Sequence, residues 1–276
     1  SRNGGANAQD VYSATGTLSS ISAASGNVVV GGTTIGAYTN VGGTLVFTFN
    51  ASATNTLVNS AMQQIAYSNS SDSPPASAQI NWTFSDGNAG AQGSGGALSA
   101  TGSTTVTITA QNDPPVLTNG GSATATESNG ANPFFDVATL SDVDSADFGG
   151  GALTATIGGV TESADKVYLL QVGGVLLSGP NVLVGGVTVG TWSGGTAGAP
   201  LTVSFNASAT PARAQAVYQS ITFATISDTP TLGTRTISVV VTDGDGGTSN
   251  TGTGTVDLNG TANDQQIGRA SCRERV

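Results

Sequence analysis

Residues 201–225 read LTVSFNASATPARAQAVYQSITFAT, and residues 45–69 read LVFTFNASATNTLVNSAMQQIAYSN. Each holds the hexapeptide FNASAT, at Phe49–Thr54 and Phe205–Thr210. Leu201 to Asn206 alternates apolar and polar residues, the period of a half-buried strand. Thr210 followed by Pro211 then marks a helix start. Proline lacks the amide hydrogen that a first helical turn leaves unbonded anyway, and its φ is already helical. Ala214, Val217, Tyr218 and Ile221 follow at helical spacing, and Val58, Ala61, Met62 and Ile65 hold the same places in the first stretch. The pattern predicts a short amphipathic helix laid over a sheet, with the Tyr and the Met as core fillers.

Further matches extend from this pair in both directions. GGTTIG (31–36) answers GGVTVG (185–190), and QQIAYSNSSDSP (63–74) answers QSITFATISDTP (219–230). SDGNAG (85–90) answers TDGDGG (242–247), and QND (111–113) answers AND (262–264). The order is preserved and the period is near 150 residues, the signature of a tandem repeat with loop insertions. A complete copy is read at 114–266 and a copy shortened at its start at 1–113, with Ser1 aligning near Ala155. A unit of about 150 residues buries close to 70% of its unfolded surface and can fold alone.

In the complete copy, alternating segments at Ser122–Thr126, Ala152–Ile157, Val167–Val172, Gly186–Trp192, Leu201–Asn206, Ile221–Ala224, Thr234–Thr242 and Gly252–Leu258 are separated by Gly-rich turns. The expected fold class is all-β, with β-sandwich repeats in tandem and one short inserted helix in each.

Composition narrows the functions. The chain has 276 residues with 40 Gly, no His, 7 Lys+Arg and 17 Asp+Glu, a net charge of -10. Seven basic residues cannot build the positive stripe that nucleic acid or an anionic membrane needs. Without His, triad hydrolysis and His-based metal chemistry lack their usual players. The final ten residues, IGRASCRERV (267–276), carry three of the seven basic residues and the one Cys, and they reverse-translate in frame to a common sequencing adapter. They are set apart as an artefact and expected to be disordered. The remainder holds four basic residues (Arg2, Lys166, Arg213, Arg235) and 16 acidic ones, so its charge is 4 - 16 = -12. A cysteine-free chain suits secretion. The most apolar stretch, Val167–Leu177, is far short of the ~18 residues of a membrane span.

The acids have an order. Asn112-Asp113 precedes Pro114-Pro115, and Asn263-Asp264 closes the second copy. Between them come Glu127, then SDVDSADF with Asp142, Asp144 and Asp147, then TDGDGG with Asp243 and Asp245. This series resembles the cadherin-like repeats of large bacterial surface adhesins, joined by short NDxP linkers, and the resemblance covers most of residues 1–266. It implies a cadherin- or immunoglobulin-like sandwich with calcium at the junctions. Carried across, Asn112, Asp113, Asp142, Asp144 and Asp243 would serve the junction before the complete copy, and Glu127 and Asp264 the one after it. A hard cation with six to eight oxygen ligands suits that chemistry, and an Asp-x-Asp on an extended segment can send two carboxylates into one site. The same acids also suit plain turns and linkers, since Asp-Gly and Asn-Asp-Pro are common turn sequences.

Other motifs do not hold. Neither acidic loop fits an EF-hand, since Ala146 and Asp147 take the fifth and sixth positions of one and Gly254 the twelfth of the other. Ser163 to Lys166 matches Ser-x-x-Lys by chance, because Lys166 is the only lysine and no second motif can exist. The expectation is a non-enzymatic, extracellular or cell-surface spacer or adhesive stalk. Its partners would be neighbouring repeats of the same chain, or surface glycans and a host or biofilm matrix. The alternative is a glycan-binding or accessory module of a secreted hydrolase, with Trp82 and Trp192 as platform candidates; their alternating strands favour packing roles.

Overall fold

The computed structural model describes residues 1–88, 96–126, 133–227 and 229–259. The chain forms two compact units, Ser1–Gln111 and Asn112–Val276. The Asn112-Asp113 pair, read from sequence as the end of the first repeat, belongs to the second unit because its hydrogen bonds run there.

The first unit contains β1 (Asp10–Ala14), β2 (Ser25–Val30), β3 (Thr33–Val41), β4 (Thr44–Phe49), α1 (Asn55–Gln63), β5 (Ile65–Asn69), β6 (Ser77–Ser85) and β7 (Ser99–Thr107). Its strands form three small antiparallel sheets, β2-β3-β4, β1-β5 and β6-β7. Tyr12, Ile21, Val28, Ile35, Tyr38 and Ala61 are buried among them.

The second unit opens with β8 (Val116–Leu117), β9 (Ser122–Ala125), β10 (Leu140–Ser141), β11 (Ala152–Gly159), β12 (Asp165–Leu169) and β13 (Val175–Ser178). It continues with β14 (Asn181–Val184), β15 (Val187–Gly194), β16 (Leu201–Phe205), α2 (Pro211–Gln219), β17 (Ile221–Thr225), β18 (Gly233–Thr242) and β19 (Gly252–Leu258). Eight strands make one sheet in the order β13-β14-β15-β16-β11-β18-β19-β9, with β9 parallel to β19 and the other pairs antiparallel. The β12-β17 ribbon and α2 contribute the other side of the core. Leu153, Val203 and Val239 from the sheet meet Val167, Leu169 and Phe223 from the ribbon and Val217 from the helix in one buried cluster. The fold is all-β in two layers, with one short helix in each unit.

Both helices stand where the Thr-Pro signal and its counterpart predict. Ala214, Val217 and Tyr218 are buried on α2, and Val58 and Ala61 on α1. Ile221 and Ile65 lie instead in the following strands. Ser220 ends α2 by donating its N–H to the Ala216 carbonyl at 3.1 Å and its hydroxyl to the Val217 carbonyl at 2.7 Å, and the β-branched run then pairs with β12. Met62 differs from its expected role: it is 38% exposed, because it faces an open groove of the first unit.

The predicted strand Val167–Val172 stops at Leu169, where Leu170 turns its N–H to the Ser220 carbonyl. Beyond it Val175–Ser178 and Asn181–Val184 pair as the β13-β14 hairpin, which the alternation pattern does not separate. The turns joining β2 to β3 and β14 to β15 are legible: Gly31-Gly32 and Gly185-Gly186 all have φ between +55° and +85°, as a two-residue hairpin turn that follows strand twist requires.

One ion pair sits wholly inside the second unit. Arg235 is fully buried, with Nε donating to Asp165 Oδ2 at 3.2 Å and Nη1 donating to the Thr231 and Gly233 carbonyls. Glu162 lies 3.7 Å from Nη2, and the guanidinium stands 5.9 Å from the Phe223 ring centre. The register of β1 with β5 and of β12 with β17 puts Asp10 in the place of Asp165. Asp10 is also buried and accepts from Tyr67 Oη at 2.7 Å and Asn69 Nδ2 at 3.1 Å. Ser163 to Lys166 is thus the approach to a paired strand.

Candidate metal centre

The acids singled out by sequence fall into two neighbouring arrangements within the second unit. The first is built on the turn after β18. Asp243 is fully buried, and its Oδ1 accepts the backbone N–H groups of Asp245, Gly246 and Gly247 at 2.8, 3.0 and 2.9 Å. Its Oδ2 accepts from Gly247 N at 3.1 Å and Asn112 Nδ2 at 2.8 Å. These five contacts use the roughly four lone-pair directions of a carboxylate, so Asp243 anchors the turn and ties the linker to it. Burial alone would raise its pKa, but the Asn112 amide and the three backbone donors outweigh burial and hold the carboxyl below the usual range. Gly247 has to be glycine: a Cβ there would stand 2.2 Å from Asp243 Oδ2 and 2.9 Å from Asn112 Nδ2.

The second arrangement follows β10. Asp142 Oδ1 accepts the backbone N–H groups of Asp144 at 3.3 Å and Ser145 at 3.1 Å, an Asx turn that faces the linker. Asp144 Oδ2 accepts the backbone N–H of Asp113 at 3.1 Å. The remaining oxygens, Asp142 Oδ2, Asp144 Oδ1 and Ser145 Oγ, are buried without a hydrogen-bond partner. Burial raises the Asp142 pKa; the Ser145 and Asp144 amides lower it in part, and the neighbouring Asp144 carboxyl raises it again. Burial beside a second carboxyl favours the protonated form of Asp142 in the absence of a cation.

Of the seven residues picked from sequence, the structure thus joins Asn112 to Asp243, and Asp113 to Asp144 beside Asp142. Glu127 and Asp264 lie outside the described residues. Among the described residues, no three His, Cys, Asp or Glu side chains converge as a metal cluster. Asp147 accepts its own turn's Gly149 N–H at 2.8 Å, and Asp245 is exposed. Ser145 was not singled out from sequence, although its place directly after Asp144 is the signal. Also unforeseen was Asn250, whose amide brackets Leu117, accepting its N–H and donating to its carbonyl, each at 2.8 Å.

The tryptophans part company. Trp192 is partly buried against the core and donates Nε1–H to the Gly179 carbonyl at 3.1 Å. Trp82 is 41% exposed, with its ring lying over Gly102 of β7.

No family model matches the chain, and no curated protein matches it. Among solved structures, the collagen adhesin from S. aureus is similar at 9% identity, over 91% of this chain and 78% of that one, with a TM-score of 0.22. A likeness at that score carries no argument about strand arrangement or binding. Among the described residues no helix is long and apolar enough to cross a membrane.

Proposed function

We propose that this chain is an extracellular structural spacer of cadherin-like tandem repeats, in which calcium at the Asp142-Asp144 loop stiffens the entry of the Asn112-Asp113 linker into the second unit. The observation that carries this reading is the set of three buried oxygens without partners, Asp142 Oδ2, Asp144 Oδ1 and Ser145 Oγ, on a loop already hydrogen-bonded to the linker. Buried polar atoms are paired in the great majority of folded proteins, so an orphaned trio of hard oxygen donors is a fit for a hard cation. Backbone carbonyls and water would complete the six to eight ligands that calcium takes.

The chain's own residues divide the work. Asp142 and Asp144 supply the charge. Asp113 is held by its N–H to Asp144, and Asn112 by its amide to Asp243. Calcium would contribute positive charge that lets both carboxylates ionise together. With two of its hydrogen bonds leading into acidic loops, the linker's rigidity then depends on the cation. The acidic, His-free composition fits a scaffold better than a catalyst.

The test is thermal and urea unfolding of the full chain with calcium and with chelator. At ten times the dissociation constant, linkage predicts about 1.4 kcal/mol of added stability. The Asp142→Ala/Asp144→Ala variant should lose the calcium response. No response in the wild-type chain, or an equal response in the variant, would return both acids to plain turn chemistry.

A further inference from the structure

The β12-β17 ribbon of the second unit turns one face to the core and the other outward. Asp165, Val167 and Leu169 are buried on the inner face, and Lys166 and Tyr168 are half-buried on the outer one, the period-two alternation of a strand. Lys166 stands opposite Ala224 of β17, and Ile226 follows on the same side, 63% exposed. The segment leaving β15 runs along the other edge of β12: Val167 donates its N–H to the Gly195 carbonyl at 3.0 Å, and Thr196 bridges Lys166. A cleft of about 390 Å³ lies here, lined by Lys166, Tyr168, Trp192, Thr196, Ala224 and Ile226. That volume is within the range of small-molecule sites.

The polar groups of the cleft are few and uncommitted. Arg2 is paired with Asp10, Arg213 donates to the Ser208 carbonyl, and Arg235 is buried against Asp165. Lys166, the chain's only lysine, makes no ion pair or hydrogen bond among the described residues, and neither do the Tyr168 and Thr196 hydroxyls. Trp192 has already given its Nε1–H to the Gly179 carbonyl, so what it offers the cleft is apolar ring. The two copies of the repeat agree around this place and differ at it. Asp10 and Tyr67 match Asp165 and Phe223, but Val11, Ser13, Ser68 and Ser70 stand where the second copy has Lys166, Tyr168, Ala224 and Ile226. The repeat fold therefore does not require the lysine or the tyrosine.

We propose that this cleft binds one sugar ring bearing a single carboxylate, with Lys166 on the carboxylate and the Tyr168 and Trp192 rings against the apolar C–H face of the sugar. The occupant follows from the lining. An unpaired ammonium beside apolar walls calls for one anionic group, held by a charge-assisted hydrogen bond, whereas a chain of net charge -10 opposes a polyanion. Aromatic rings flanked by two free hydroxyls suit a ligand that is apolar on its face and polar round its rim, and an alkyl carboxylate would leave both hydroxyls unused. None of these residues belongs to the acidic loops, so the site is independent of calcium.

The probe is methyl β-D-glucuronide, titrated into the isotope-labelled full chain and followed by NMR, with methyl β-D-glucoside and N-acetyl-leucine as controls. Saturable shifts are expected at Trp192 Nε1–H and the Thr196 amide, with a dissociation constant of about 1 mM. The glucoside should bind about tenfold more weakly, the worth of one hydrogen bond to a charged group. Lys166→Val, which installs the first copy's residue, should bring the glucuronide down to the glucoside's affinity, and Tyr168→Ser should weaken both sugars alike. The proposal is overturned by the lack of a saturable shift up to about 20 mM glucuronide, or by equal affinity for the glucoside. It is equally overturned if N-acetyl-leucine binds as well as the glucuronide, which makes the cleft a plain apolar carboxylate site, or if Lys166→Val leaves the discrimination unchanged. If that variant does not fold, the comparison of the two sugars in the unaltered chain decides the question alone.

Discussion

Replacing Asp165 by Ala should be among the most damaging single changes in the second unit. Arg235 is fully buried, and Asp165 Oδ2 is the carboxylate oxygen its Nε reaches, at 3.2 Å. Removing one partner of a buried pair typically costs 3–5 kcal/mol, because the other charge stays desolvated. Here the Thr231 and Gly233 carbonyls still accept from Nη1, and Glu162 stands 3.7 Å from Nη2, so the loss belongs at the lower end, about 3 kcal/mol. For a unit of this size that is a fall in Tm of roughly 6–12 °C. With a urea m-value of about 2 kcal/mol/M it moves the midpoint by about 1.5 M. The assay is urea unfolding of the full chain carrying Trp82→Phe, followed by Trp192, which packs on the second core. Asp165→Leu with Arg235→Met should recover most of the loss, since an apolar pair avoids the desolvation altogether. Asp10→Ala at the matching place in the first unit should cost less, because its partner Arg2 is 23% exposed and can turn to water. A loss below about 1 kcal/mol for Asp165→Ala, or a double variant no better than the single one, would refute the reasoning.

Asp243→Ala leaves three backbone N–H groups and the Asn112 amide without their acceptor and should lower second-unit stability by about 3 kcal/mol, read from the same urea midpoints. The two arrangements also predict opposite pH slopes without calcium. The depressed Asp243 pKa gives stability that is present above the ordinary aspartate value near 4 and is lost as pH falls through its folded value. The raised Asp142 pKa gives stability that is complete below that same value and is lost as pH rises through its folded pKa. Together they place a maximum near pH 4 in urea midpoints measured from about pH 3 to 6. Asp142→Asn should flatten the limb above the maximum and Asp243→Asn the limb below it; unchanged limbs would dissociate these carboxyls from the slope.

Much of the site was legible where an acid and its turn are neighbours in sequence. Asp-x-Asp at 142–144 and Asp-Gly at 243–244 announce loops whose carboxylates bond the next few amides, a local consequence of a short acceptor side chain. Which carboxylates are saturated was not legible. Asp243 accepts five contacts because Asn112, 131 residues earlier, arrives beside it, whereas Asp142 and Asp144 keep orphaned oxygens because their loop closes over them. Met62 and Trp82 make the same point. Their spacing places them on inward faces, yet both border a groove of the first unit, and which strands flank a residue is decided by distant pairing.

By itself the sequence determined the repeat, the all-β class, the Gly-Gly hairpin turns and both helix starts. Each of these rests on side-chain period or on φ preferences, which act over a few residues. Only the tertiary structure decided the strand order, with β11 inserted between β16 and β18, the burial of Arg235 against Asp165, and the division of the acids into an anchor and an unpaired set. These depend on which distant backbones share hydrogen bonds and which charges leave water together, and no short-range pattern encodes that.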